Sequence, residues 1–66
     1  MSKTSNELIV LKVLSDGRIH SGKELANKVE VDERMIRTYI QDLELAGHYI
    51  ISIRGRYGGY KLITKI

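Results

Sequence analysis

The chain reads as an α+β fold, three helices followed by a two-stranded β-hairpin. Three observations predict it. Up to Gly47 the apolar residues recur at helical spacing, between residues that start and stop helices. Beyond Gly47 come two runs rich in β-branched and aromatic residues, 48–54 and 60–66, around the glycine-rich stretch Gly55-Arg56-Tyr57-Gly58-Gly59. Finally, the 66 residues contain no Cys, so neither a disulfide nor a thiolate zinc site can staple them. A domain of this size buries only ~60% of its unfolded surface. Regular packing must therefore hold it, and 42% hydrophobic residues is an ordinary supply for that purpose.

Taken in order, residues 1–5 are polar and read as a frayed start. Ser5 or Asn6 is placed to cap a first helix over about 6–15, in which Leu8, Leu11 and Leu14 with Val10 follow helical spacing. Asp16-Gly17-Arg18 reads as a turn, with Gly17 free to take the positive φ that ends a helix. Ile19 and His20 read as a short extended piece that packs on the elements after it. Ser21-Gly22-Lys23-Glu24 has the form of a capping box: the Ser21 hydroxyl takes the Glu24 amide and the Glu24 side chain returns to the Ser21 amide. It opens a second helix over about 22–29, with Leu25, Ala26 and Val29 inward. After the tight Glu30-Val31 connection, Asp32 is placed to cap a third helix over 33–46. On a wheel of ~100° per residue, Ile36, Tyr39, Ile40, Leu43 and Ala46 share one face of that helix, and Arg34, Arg37, Thr38 and Gln41 share the other. Gly47 stands where a left-handed residue closes a helix, and 48–66 is the hairpin. No repeat, linker or low-complexity stretch divides the chain, which reads as a single domain over 1–66.

Charge adds a second layer. Residues 1–47 carry seven Lys/Arg against eight acids, whereas 48–66 carry Arg54, Arg56, Lys61 and Lys65 and no acid. The excess of +3 thus resides in the hairpin, as a patch suited to a polyanion. The longest strictly apolar run, Leu8–Leu11, is far short of the ~20 residues of a membrane span. No signal-peptide pattern opens the chain, so a cytoplasmic protein is the expectation. No carboxylate pair, nucleophile–base pair or metal-ligand cluster stands out. The expectation is a non-enzyme with no cofactor, no metal and no small-molecule ligand.

Two short helices joined by a tight turn, the second with a polar face behind a buried one, form a helix-turn-helix candidate. The major groove of B-DNA admits one such helix. Arginine pairs bidentately with guanine and glutamine with adenine, and threonine reaches a thymine methyl or a phosphate, so Arg34, Arg37, Thr38 and Gln41 are the candidate base-contacting residues. A basic hairpin directly after that helix gives a winged-helix layout. Its tip offers Arg54, Arg56, Tyr57 and Lys61 to phosphate or the minor groove, with glycines at 55, 58 and 59 permitting close approach. Ser21 and Lys23 are candidate backbone contacts, since the helix before the recognition helix crosses phosphates in this docking geometry.

Four segments carry a resemblance: Ser21-Gly22-Lys23-Glu24-Leu25-Ala26, Val31-Asp32-Glu33-Arg34-Met35-Ile36-Arg37, Leu43-Glu44-Leu45-Ala46-Gly47, and Gly55-Arg56-Tyr57-Gly58-Gly59-Tyr60-Lys61-Leu62. Over about residues 6–64 the chain resembles the bacterial winged helix-turn-helix DNA-binding domains. The closest resemblance is to those at the N-terminus of DeoR-type and WYL-type regulators and of the biotin-ligase repressor. It implies a transcription-regulating module for double-stranded DNA, with helix 33–46 in the major groove and the hairpin as wing. The chain departs from the usual pattern at four places. Glu30 and Asp32 stand where Gly and Ser are common, Met35 replaces Thr, and Tyr39 replaces an acid. A left-handed Glu30 would carry strain.

The remaining residues have plainer readings. His20 and His48 are structural or surface residues, Tyr39 is packing, and Tyr49 and Tyr60 cover the sheet. Leu45 falls on the polar face of the third helix. Ile50, Ile51, Ile53 and Ile66 exceed what one hairpin face needs, which leaves open an alternative: a module for protein–protein contact through the isoleucine-rich hairpin. A homodimer and a further C-terminal domain are both open as partners.

Overall fold

The computed structural model describes residues 3–63, with side chains from Ser5 onward. Its order is α1 (Lys3–Leu14), α2 (Gly22–Val29), α3 (Glu33–Leu45), β1 (Ile50–Ile53) and β2 (Gly59–Leu62). The strands pair antiparallel, with Ile50 opposite Leu62 and Ile53 opposite Gly59. This is the α+β, three-helix-and-wing layout expected from the sequence.

The apolar core is built from all three helices and the first strand. Val10, Leu14, Leu25, Val29, Ile36, Tyr39, Ile40, Leu43 and Ile50 are buried, and Tyr60 and Leu62 pack against them. Ala26 is buried where α2 meets α3, as its small size allows. The connector after α1 is bound to the sheet as well. The His20 amide donates to the Tyr60 carbonyl at 2.9 Å, and the Tyr60 amide donates back to His20 at 2.8 Å. The extended piece at Ile19–His20 thus becomes a third, one-bridge strand on the far side of β2 from β1.

Several boundaries and faces differ from expectation. Helix α1 already begins at Lys3, within the segment expected to fray, so Asn6 lies inside the helix and caps nothing. Asn6 is 7% exposed and donates from Nδ2 to the Tyr39 hydroxyl at 3.1 Å. The buried stripe of α1 is Asn6, Val10 and Leu14, at i, i+4 and i+8, while Leu8 is 59% exposed. The reason is compositional. With Leu8, Ile9, Val10, Leu11, Val13 and Leu14 apolar nearly all round, periodicity alone selects no face. Ala46, expected in the core, follows the end of α3 and is exposed. Gly47 takes φ 105° and Gly17 φ 77°, both as expected of residues that close helices. Leu45 is 87% exposed. Of the five hairpin isoleucines, Ile50 is core, Ile51, Ile53 and Ile63 are half-buried, and Ile66 lies outside the described residues.

The turn between α2 and α3 is tight because Glu30 adopts the left-handed conformation, at φ 59° and ψ 48°. The amides of Glu30 and Val31 both reach the Ala26 carbonyl, satisfying the end of α2. For a side chain with a Cβ this conformation costs ~1–2 kcal/mol relative to glycine, so the short turn is retained against local strain.

Candidate nucleic-acid interface

Two helix starts position the site. At α2 the Ser21 hydroxyl accepts the Glu24 amide at 3.0 Å, one half of the capping box. The other half is not made. The Glu24 carboxylate instead holds the His20 Nδ1, because the Tyr60 pairing brings the histidine to that end of α2. On its other side the ring's Nε2 lies 2.9 Å from the Asp16 carboxylate. This hydrogen bond to Asp16, with a further one to Glu24, raises the His20 pKa above its ordinary value against the desolvation of the ring. The same contact lowers that of Asp16. His20 is thus a structural residue, a strut between the α1–α2 turn and α2.

At α3, Asp32 occupies the cap position with extended backbone, and its carbonyl accepts from Met35 and Ile36 at 3.0 and 3.3 Å. Its carboxylate makes no capping bond, contrary to the expectation, and is exposed. Glu33, in the first turn, suits the positive end of the helix dipole.

The burial of Ile36, Tyr39, Ile40 and Leu43 turns the opposite side of α3 outward. Arg34, Arg37 and Gln41 are exposed there, and Thr38 is half-buried. Between this face and the hairpin lies a cleft of about 890 Å³. Arg34 and Arg37 border it from the helix and Ser52, Arg54 and Gly55 from the hairpin, with Tyr60 between. Gly22 also lines it, so the start of α2, which Ser21 caps, adjoins the cleft. A shallower depression of about 220 Å³ continues along α3, bordered by Arg37, Gln41, Glu44, Ser52 and Tyr60.

The remaining candidates are spread around this cleft. Arg56 and Tyr57 form the hairpin turn, Tyr57 at 85% exposure, and border neither depression. Lys61 is not at the tip. It sits in β2 opposite Ile51, and strand alternation puts it on the sheet face away from Ser52 and Tyr60. Lys23 is exposed in the first turn of α2, and the Ser21 hydroxyl is occupied with its cap. Arg34, Arg37, Arg54, Arg56, Lys61 and Lys23 have no carboxylate partner among the described residues. Their charge is therefore available to an external anion. No group of three metal-ligating side chains occurs among the described residues, and no described helix is long and apolar enough to cross a membrane.

Sequence reasoning missed Ser52 and Tyr60 as cleft residues. Alternation carries the signal: Ser52 is the one polar residue of Ile50-Ile51-Ser52-Ile53, and it pairs with Tyr60 on the side facing α3.

The family model described as an HTH domain matches residues 6–61, from α1 through β2. The chain belongs to the helix-turn-helix domain family. Comparison with curated proteins and with solved structures returns no significant match. In this helix-turn-helix domain α2 and α3 are the motif's two helices. The DNA-binding and transcription-regulatory character of the family agrees with a cationic cleft on the outward side of α3.

Proposed function

We propose that this helix-turn-helix domain binds specific sequences of double-stranded DNA to regulate transcription, with α3 in the major groove and the hairpin as a wing on the backbone or in the minor groove. One observation carries the reading. Unpaired arginines from α3 and from the hairpin converge on a single cleft, although the chain as a whole is only modestly basic. Arg34, Thr38 and Gln41 face base edges with Arg37 beside them. Arg54 stands on the wing's cleft side, Arg56 and Tyr57 extend from its tip, and Lys61 adds charge from the outer face. Lys23 and the capped start of α2 at Ser21 approach a neighbouring phosphate.

The test is binding to a duplex selected from a random pool, measured against salt. Neutralising about four phosphates predicts that log K falls with log salt at a slope near about −4. Arg56→Ala weakens all sequences alike, because a contact to phosphate carries no base information. Absence of salt-dependent binding to any duplex overturns the reading. The selected sequence also shows whether the site is a palindrome, which a two-fold dimer requires.

A further inference from the structure

We propose that the cleft between α3 and the hairpin seats the phosphodiester backbone of one DNA strand, with Arg37 as a phosphate ligand there rather than a reader of bases. This rests on duplex binding by the domain and departs from the sequence expectation that Arg37 joins Arg34, Thr38 and Gln41 at base edges.

The residues of α3 point in two different directions. At ~100° per residue, Arg34, Thr38, Gln41 and Leu45 point directly away from the buried side of α3, whereas Glu33, Arg37 and Glu44 are turned toward the hairpin. The cleft lining agrees. Arg37 borders both depressions, each time with Ser52 and Tyr60, whereas Arg34 borders only the larger, Gln41 only the smaller and Thr38 neither.

The shape of a duplex decides what fills such a space. On a duplex, the backbone of one strand separates the major groove from the adjoining minor groove. A molecule with a helix in one groove and a hairpin over the other straddles that backbone, so phosphates occupy the gap. B-DNA carries one negative charge per ~1.7 Å of axis. A surface facing it needs cations and donors, and Arg37, Arg54 and the Ser52 hydroxyl supply them, with Arg34 adding charge nearby. The guanidinium fork matches phosphate geometry. Glu33 also borders the larger cleft, where it offsets only one of the three guanidiniums, whereas Glu44 balances Arg37 in the smaller depression, so the positive excess lies in the larger cleft. Three guanidiniums in the lining also argue against an apolar small molecule, whose pockets are predominantly hydrophobic.

The test uses the full chain and the duplex selected by the wild type. Arg37→Ala is expected to weaken binding to that duplex and to base-substituted versions by a common factor, roughly ten- to a hundredfold. It also makes the salt slope shallower by about 1. Arg37→Lys, which keeps the charge but loses the fork, retains most of the affinity and the full slope. A single uncharged methylphosphonate placed at successive backbone positions weakens the wild type at one of them. At that same position it leaves Arg37→Ala unaffected. The assignment is overturned if Arg37→Ala changes the preference at one base pair while every methylphosphonate effect persists. If the wild type binds no duplex in a salt-dependent way, the duplex reading itself falls, and the two failures are distinct.

Discussion

Gly59 illustrates how little a residue's type reveals of its task. A Cβ there would lie 2.2 Å from the His20 carbonyl oxygen, and one at Gly58 would lie 2.1 Å from that of Ile53. Both neighbours are backbone, so no rotamer change relieves the clash. Gly59→Ala is expected to break the His20–Tyr60 pairing and cost about 3 kcal/mol, read as a fall in the urea midpoint at unchanged m-value. An unchanged midpoint would show that the chain accommodates the methyl elsewhere. The three hairpin glycines stand out in the sequence as a loop able to approach a phosphate. Only Gly55, at φ 116°, is needed for the turn's conformation. The other two admit the chain's own backbone, and Gly59 admits a segment remote in sequence, a contact that no local pattern encodes.

Whole elements are more legible, in proportion to the punctuation at their ends. Ser21 and Gly47 place the start of α2 and the end of α3 to within about a residue, because a cap is a local hydrogen-bonding solution. Helix α1 has a closing glycine at Gly17 but, among the described residues, no cap residue that marks its start at Lys3, and its second half is apolar on nearly every side. Its buried face is therefore set by tertiary contacts with Tyr39 and the core. The connector between α1 and α2 is held by Asp16, His20 and Glu24, which gives it a pH dependence. His20 has a folded pKa above its ordinary 6.5, so its contribution to stability is complete below that value and is lost as pH rises through the raised one. Asp16 has a folded pKa below its ordinary 3.8, so its contribution is present above 3.8 and is lost as pH falls through the lowered value. The connector is thus held best between the two ordinary values. Thermal midpoints should decline from about pH 5 to about pH 8, and His20→Gln should flatten that decline. An equal decline in the variant would place its origin elsewhere.

For the molecule as a whole, the hairpin is as much a part of the fold as of the interface. Ile50 is core, Tyr60 and Leu62 pack on it, and β2 pairs with the connector after α1. Burying each such side chain contributes about 1.5–3 kcal/mol, against a total of about 5–15 kcal/mol for a small domain. A chain ending at Gly47 is therefore expected to lose its cooperative thermal transition, measured by calorimetry. A sharp transition in that fragment would show that the three helices suffice. The sequence carries the layout and the charge asymmetry but not the cleft, since a groove between two elements exists only once both are placed. Tyr60 serves fold and groove at once: its backbone holds His20 and its side chain borders the groove. Selection acting on position 60 therefore screens each change twice, for folding and for binding. On the proposed reading, exposed positions such as Gln41, Arg56 and Tyr57 are screened once, and there a lineage of this chain could drift toward new target sites without first repairing its scaffold.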